Sequence, residues 1–155
     1  MSSSRQWLGH GLTSHQFGAW GERVARGFLE GTGHRIIAAN AWRFGRLSEV
    51  DIVAVPDGLS GDCRITAFVE VKARRLRPGA RGCQLESALH SVGSAKQARI
   101  RRCASWLMSL GRNRLPGGSQ GSAQLGRQAR FDVVIVELHS QGQVLKIRHI
   151  TDAFY

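Results

Sequence analysis

The segment VEVKARR, residues 69–75, places a carboxylate and an ammonium in a stretch that otherwise predicts a buried β-strand. The run ITAFVEVKA is rich in β-branched, aromatic and small apolar residues, which is the composition of a sheet interior. Charged side chains in such a place are costly unless they are paired, hydrated or bound to a ligand. Glu70 and Lys72 are therefore the first candidates for a functional site.

A second acidic segment, EVDIVAV at 49–55, is predicted to pair with the VEVKARR strand as an antiparallel hairpin around the turn PDGLSGDCR. A register that centres this turn pairs residues whose numbers sum to about 121. It sets Asp51 opposite Glu70. Glu49 then lies opposite Lys72, on the same face, because side chains alternate along a strand. Three carboxylates and one lysine are thus predicted to share one face of the sheet.

Carboxylates placed directly across a ladder repel one another, and a divalent cation between them removes that repulsion. Mg²⁺ is held by one or two carboxylates together with waters and a substrate phosphate. A lysine beside the ion stabilises an anionic transition state or positions the attacking water. The group therefore suggests metal-assisted phosphodiester hydrolysis with Mg²⁺ or Mn²⁺. The alternative is a surface hairpin in which Glu49 and Lys72 form a solvated pair. From the residue types alone, the metal site and the surface hairpin are about equally favoured.

Two residues on predicted helices lean toward the same acidic cluster. Glu22 borders the apolar stripe of the first helix, where it can face the sheet edge, although an i,i+4 pair with Arg26 is the simpler interpretation. Lys96 begins the inward stripe of the second helix, which continues with Ile100 and Leu107. It either extends to solvent at the helix start or points at the acidic cluster, and we prefer the second interpretation.

The elements that must position these residues follow from the hydrophobic periodicity of the chain. The order αβββαββ predicts an α/β or α+β fold, with one mixed sheet and helices packed against it. In chain order the predicted elements are a helix in QFGAWGERVARGFLEGTGH, strands at HRIIAAN, 49–55 and 65–73, a helical region from near Leu85 that includes 94–110, and strands at RFDVVIVEL and QVLKIRHI.

The length of 155 residues predicts a single domain over 16–155 that is preceded by a flexible polar leader at 1–15. The Gly-, Ser- and Gln-rich segment 111–129 is predicted to be a flexible loop. No stretch approaches the ~20 apolar residues of a membrane span, and the first residues lack a secretory signal. Three cysteines without metal-ligand spacing favour a reduced, cytoplasmic protein.

The charge of the chain suits a polyanionic partner. Lys and Arg total 22 against 11 acidic residues, for a formal net charge of +11. Because no basic amphipathic helix is free to lie on a membrane, nucleic acid is the expected partner, although the excess could also serve only solubility. The predicted phosphate contacts are Arg74, Arg75, Arg77 and Arg81 in a basic loop, with Lys96, Arg99 and Arg102 on the second helix.

Five segments together resemble the conserved blocks of the YraN family, in the family's order and from about Phe17 to Phe154: GAWGERVARGFLEGTGHRIIAANAW, SEVDIVAV, FVEVKAR, RFDVVIVE and HITDAF. That family is similar to Holliday-junction resolvases and belongs to the PD-(D/E)XK restriction-endonuclease-like group. The resemblance implies a restriction-endonuclease-like αβββαβ core. By position it implies that Asp51 is the first metal-binding acid, that Glu70 and Lys72 form the ExK motif, and that Glu22 and Lys96 are the acid and the lysine contributed by the two helices.

The sequence departs from the family where Gly-Glu is usual, because Ser48 precedes Glu49 here, so the acid is kept and the glycine is lost. The leading hypothesis is an endonuclease acting on branched DNA, in which Asp51 and Glu70 hold the metal and Glu22 or Glu49 helps through water. The alternatives are a non-catalytic nucleic-acid-binding module of the same fold and a scaffold for another protein of DNA repair or RNA processing. A homodimer is expected by analogy, because resolvases cut two symmetric strands.

Overall fold

The structure, a computed structural model, describes residues 11–39, 50–58, 65–76, 90, 92–109 and 125–155. Within these residues the elements follow the predicted order αβββαββ. They are α1 (Ser14–Gly31), β1 (His34–Ala39), β2 (Ile52–Pro56), β3 (Ile65–Arg75), α2 (Ser94–Ser109), β4 (Gln128–Leu138) and β5 (Val144–Phe154).

The strands of the described residues form one five-stranded sheet in the order β1-β2-β3-β4-β5. Neighbouring strands are antiparallel except β3 and β4, which are parallel and are joined through α2. Helices α1 and α2 cover opposite faces of this mixed sheet. The protein is therefore an α/β protein, and its architecture is consistent with the restriction-endonuclease-like core that the resemblance implies.

Helix α1 begins with a capping box, in which Thr13 Oγ1 accepts a hydrogen bond from Gln16 N and Gln16 Oε1 accepts one from Thr13 N. Its apolar stripe packs on the sheet as the periodicity predicts. Gly21 lies so close to β3 that an added Cβ would be 2.5 Å from Ala73 Cβ. This close approach holds the helix against the strand that carries the candidate site. The buried residues of α1 are Phe17, Gly21, Ala25 and Leu29.

The hairpin of β2 and β3 has the predicted register. Ile52 pairs with Val69, and the following pairs keep step with it. Strand β2 begins later than the predicted residue 49, and Asp51 lies in a bend immediately before it. Glu49 lies outside the described residues.

Alternation along β3 divides its side chains between the two faces of the sheet. Val69 and Val71 pack in the core cluster under α1, whereas Phe68 packs in the cluster under α2. Because β3 pairs with β4 in an unbroken register, the alternation continues to the end of the strand. Glu70 and Lys72 therefore lie on the α2 face, as predicted for residues two positions apart.

Helix α2 begins at Ser94. In the helical region that was predicted to begin near Leu85, His90 is helical and residues 85–89 lie outside the described residues. Val92 and Gly93 are not helical. The Val92 carbonyl accepts a 2.8 Å hydrogen bond from the Gln97 side chain, and the Gly93 carbonyl accepts a 3.0 Å hydrogen bond from the Gln97 main-chain N–H. These bonds place the first turn of α2 and orient the helix over the sheet.

Most of the predicted flexible loop, 111–129, lies outside the described residues. Its last part is packed, since Leu125 is buried and the Gly126 N–H donates a 2.8 Å hydrogen bond to Thr66 Oγ1. At the other end of the chain, α1 includes the last two residues of the predicted leader, 1–15. The folded part of the chain thus extends slightly beyond the predicted boundaries.

Candidate functional site

Glu70 is the centre of the candidate site. Strand β3 carries it into the α2 face, where the residue is only 3 % exposed. Its carboxylate lies between two ammonium groups, with Lys72 Nζ 2.8 Å from Oε1 and Lys96 Nζ 3.2 Å from Oε2. Lys72 comes from the same strand and Lys96 from the first turn of α2, so the predicted inward orientation of Lys96 is what the structure shows.

One oxygen of Glu70 is not satisfied in the usual way. Oε2 is buried and accepts no hydrogen bond from the described residues, although the Lys96 ammonium lies at ion-pair distance. Buried carboxylate oxygens ordinarily accept hydrogen bonds, and an exception calls for a ligand or a water. Oε2 is thus an acceptor that a water or a bound cation could use in addition to the Lys96 ammonium.

Asp51 lies beside Glu70, at the bend before β2. Its Oδ2 accepts a 2.7 Å hydrogen bond from the Val71 N–H, which fixes the carboxylate against β3. Burial raises the pKa of Asp51 from 3.8 to about 7, and the negative charge of Glu70 adds to the rise. The Val71 hydrogen bond and Lys96 oppose that rise. A carboxylate with such a pKa is costly in its ionised form, and a cation would relieve the cost.

Glu22, on α1, lies close enough to Glu70 and Lys96 for their charges to act on it. Burial raises its pKa above 4.5, the charge of Glu70 raises it further, and Lys96 acts in the opposite direction. Arg26, its proposed helix partner, forms an i,i+4 ion pair with Glu30 at 3.2 Å. The electrostatic influence of Glu70 on Glu22 thus places α1 at the border of the site, in line with the prediction from the helical stripe.

The donor set fits a hard divalent cation that takes few protein ligands. No three His, Cys, Asp or Glu side chains within the described ranges lie close enough to hold a metal ion together. Mg²⁺ needs only one or two carboxylates and completes its shell with water and phosphate. Glu70, with its unsatisfied oxygen, and Asp51, with its raised pKa, are two such carboxylates. Glu49, the third predicted ligand, lies outside the described residues.

The basic residues that were predicted to contact phosphate separate into groups. By strand alternation Arg74 lies on the face of Glu70, whereas Arg75 lies on the α1 face. There its guanidinium stacks 4.7 Å from the centroid of the Phe17 ring and donates a 3.0 Å hydrogen bond to the Leu12 carbonyl. Arg75 therefore has a structural role in holding the start of α1.

The remaining predicted phosphate contacts lie on α2 or outside the described residues. Arg99 and Arg102 are exposed on α2, where each can be reached from solvent. Arg77 and Arg81, in the predicted basic loop, belong to the part of the chain that the structure does not describe.

The segment RFDVVIVEL was predicted only as a strand, but it carries two further buried carboxylates, Asp132 and Glu137. Asp132, on the α1 face of β4, accepts two hydrogen bonds from Arg130 (2.8 and 2.7 Å), one from His149 Nε2 (2.8 Å) and one from the Asp152 N–H (3.1 Å). Burial alone would raise the pKa of Asp132, but these hydrogen bonds outweigh it and lower the pKa. An acid within a buried strand was the available signal, as it was for Glu70.

The Asp132 network joins β4 to β5 and does not extend to the candidate site. A similar pair links the same strands on the other face, where Arg148 donates a 2.8 Å hydrogen bond to the buried Glu137. Both carboxylates accept hydrogen bonds from cationic partners, whereas Glu70 Oε2 is the buried carboxylate oxygen of the described residues that accepts no hydrogen bond. We therefore interpret them as structural.

Comparison with known proteins identifies the family. The model of the uncharacterised protein family UPF0102 matches residues 21–136, a range that includes every described residue of the acidic cluster. A UPF0102 protein of Symbiobacterium thermophilum is 38 % identical over 143 residues, covering 92 % of this chain and 98 % of that protein. UPF0102 proteins of Nocardia farcinica and Bifidobacterium longum are 37 % and 34 % identical, covering 88 % and 92 % of this chain and 87 % and 96 % of theirs. The chain thus belongs to the UPF0102 family, which is the YraN family that its sequence segments resemble.

Proposed function

We propose that this protein is a metal-dependent endonuclease that hydrolyses phosphodiester bonds in structured nucleic acid, with branched DNA as the foremost substrate. The observation that carries the proposal is the buried carboxylate of Glu70. It lies between two lysines, keeps one oxygen without a hydrogen bond, and adjoins Asp51, whose pKa is raised to about 7. Carboxyl groups whose pKa is shifted as strongly as that of Asp51 are concentrated at functional sites.

Asp51 and Glu70 are the residues that would hold Mg²⁺ or Mn²⁺, with Glu22 assisting through water. When bound, the ion would supply Lewis-acid polarisation of a phosphate oxygen and a more acidic water. The hydrogen bond from the Val71 N–H keeps the Asp51 carboxylate oriented before any ligand arrives. Such preorganisation limits the rearrangement that metal binding requires.

The two lysines have different surroundings and are assigned different roles. The side chain of Lys72 is 27 % exposed at the mouth of the site, so its ammonium can turn to an attacking water or to the charge that develops on phosphate. Lys96 stands at the start of α2, where its ammonium orients Glu70 and lowers the repulsion among the acids.

The proposed partner is nucleic acid. The chain carries a net charge of +11, Arg74 lies on the same face of the sheet as Glu70, and Arg99 and Arg102 are exposed on α2. None of the helices that the structure describes is both long and apolar enough to cross a membrane. We propose a cytoplasmic protein that acts as a homodimer, because a four-way junction offers two symmetric strands for cleavage.

A non-catalytic nucleic-acid-binding module of the same fold is the second candidate. It is favoured by the ion pairs of Glu70 with Lys72 and Lys96, which balance the buried charge without a metal. In that case the lysines would stabilise the sheet and the site would bind phosphate weakly or not at all. The two candidates differ in two measurable properties, which are the binding of a divalent cation by Glu70 and metal-dependent cleavage.

The test compares Glu70→Gln with Glu30→Gln, a matched change at an exposed acid that forms an ion pair with its helix neighbour Arg26. Mn²⁺ binding is followed by calorimetry, and cleavage of a labelled four-way junction is followed with Mg²⁺ or Mn²⁺. We expect the wild type and Glu30→Gln to bind Mn²⁺ and cut, and Glu70→Gln to do neither. Wild-type protein that binds the junction but neither binds Mn²⁺ nor cuts would overturn the nuclease and support the binding module.

A further inference from the structure

An open pocket of about 370 Å³ lies between the second half of α2 and the beginning of β4. This volume is within the range of small-ligand pockets, about 300–1,000 Å³. We call it the α2–β4 pocket, and the lining residues that matter here are Arg101, Ala104, Met108, Arg127, Ala129 and Phe131.

The floor of the α2–β4 pocket is a fixed aromatic surface. Phe131 is stacked on Phe154, with ring centroids 5.3 Å apart and ring planes at 17° to each other. Its ring centroid also lies 6.0 Å from that of Phe68. Phe68 and Phe154 are buried core residues, so they hold the Phe131 ring in place. A ring that is immobilised in this way can stack a flat ligand with little loss of side-chain entropy.

The rim of the pocket is cationic. Arg101 lies on α2 and Arg127 just before β4, so two guanidinium groups line the pocket from different elements. One guanidinium nitrogen of Arg101 donates a hydrogen bond to the main-chain oxygen of Tyr155, and its other N–H groups are those that would meet a phosphate. None of the described lining residues is acidic. An aromatic floor beneath two guanidinium groups is complementary to a ligand that combines a flat ring with an anion, and a nucleotide has both.

The pocket is on the same face of the sheet as Glu70. Phe131 pairs with Phe68 in the parallel ladder, and Glu70 follows two positions further along β3 with its side chain on that face. Helix α2 rises about 1.5 Å per residue, so the distance from Lys96 to Met108 along it is about 18 Å. A nucleic-acid strand advances about 3.4 Å per nucleotide along a duplex axis, so a strand at Glu70 reaches the pocket within a few nucleotides.

We propose that the α2–β4 pocket binds one unpaired nucleotide of the substrate, with its base stacked on Phe131 and its phosphate between Arg101 and Arg127. This inference rests on the proposed function, because it assumes a strand at Glu70, and it adds a substrate class to that function. The preferred substrate has a single-stranded nucleotide a few positions from the bond that is cut, as at a flap, an overhang or an open junction.

The test measures binding in EDTA, so that it is independent of cleavage. Fluorescently labelled duplexes with a 3′ or a 5′ single-stranded overhang carry one abasic residue at successive positions, in DNA and RNA versions. We expect one position at which removal of the base weakens wild-type binding about 5- to 150-fold, the usual range for a base stacked on an aromatic ring.

Two variants assign that effect to the pocket. Ala129→Leu fills it from an exposed position on β4 and should abolish the sensitivity to the abasic residue, whereas Ala19→Leu, at an exposed position on α1, should retain it. Arg127→Ala should weaken binding to the overhang more than Arg35→Ala, which removes an equal charge from an exposed position on β1. Circular dichroism confirms that each variant is folded.

The inference is overturned if no overhang shows a sensitive position, if Ala129→Leu retains the sensitivity, or if the wild type binds none of these substrates. The proposed nuclease is judged separately by metal-dependent cleavage. A protein with the sensitive position but without cleavage supports the pocket and rejects the nuclease. Cleavage without any sensitive position supports the nuclease and rejects the pocket.

Discussion

Replacement of Asp51 by Asn should make the metal-free protein more stable while it removes metal binding and cleavage. Asp51 is held between Glu70 and the Val71 N–H, in a place where its ionised form is unfavourable. Asn has nearly the same shape and keeps an oxygen for the Val71 hydrogen bond, but it carries no charge. A gain in stability with a loss of activity is the behaviour expected of a residue that is kept for function.

The expected size of the gain follows from the pKa of Asp51. A rise from 3.8 to about 7 corresponds to roughly 4 kcal/mol against the ionised carboxylate, at ~1.36 kcal/mol for each tenfold change in the ionisation constant. The weaker hydrogen bond from the Val71 N–H to a neutral acceptor returns about 1 kcal/mol of this. Partial exposure of Asp51 reduces the effect further. We therefore expect D51N to be about 1–3 kcal/mol more stable than the wild type at pH 8.

The gain should depend on pH in a defined direction. Asp51 ionises near 3.8 in the unfolded chain and near 7 in the folded protein, so the folded wild type binds more protons between these values. Its stability therefore falls relative to D51N as the pH rises from about 4 to about 7, and the difference is constant above that range. At pH 4 the folded forms of both proteins carry a neutral side chain at position 51, so their stabilities should be close.

The assay is urea unfolding in EDTA at pH 4, 6 and 8, with Mn²⁺ binding measured in parallel at pH 8. Asp57→Asn is the matched control, because Asp57 is exposed in the turn after β2. It should change neither quantity appreciably. A D51N protein that is less stable than the wild type at pH 8, or that gains as much at pH 4 as at pH 8, would refute the electrostatic reasoning.

Three further predictions concern other parts of the molecule. Lys72→Ala should lower the cleavage rate by about 10²–10³-fold and leave Mn²⁺ affinity largely unchanged. A loss of Mn²⁺ affinity in calorimetry that matches the loss of cleavage rate would contradict its proposed role. Gly21→Ala should lower the free energy of unfolding in urea by about 1–3 kcal/mol, because the new Cβ would overlap Ala73. Gly18→Ala, whose Cβ meets open space, should be neutral or raise that free energy by up to about 1 kcal/mol. Asp132→Asn should cost about 3–5 kcal/mol at pH 7. That cost should shrink as the pH falls below about 3.8 and through the lowered pKa of Asp132, and a cost independent of pH would contradict this.

Local patterns in the sequence were sufficient to predict the hairpin and the position of Glu70. Centring the hairpin on its turn, with side chains alternating between the two faces, predicts a register in which paired residue numbers sum to about 121, and Ile52 pairs with Val69 accordingly. The same alternation puts Glu70 and Lys72 on one face. The 3.6-residue period of α2 likewise predicted that Lys96 faces the sheet, where it lies 3.2 Å from Glu70.

The sequence by itself thus determined the elements, their order and the residue types that meet at Glu70, because periodicity and turn chemistry act over a few residues. Only the tertiary structure decided that the Arg75 guanidinium stacks on the Phe17 ring and that Asp132 accepts hydrogen bonds from residues of β4 and β5. It likewise decided that a pocket lies between α2 and Phe131. It also decided the pKa of Asp51, which depends on burial and on the charge of Glu70 rather than on its neighbours in the chain. Burial, ion pairing and cavities arise between segments that are distant in sequence, and no local pattern specifies the distances on which they depend.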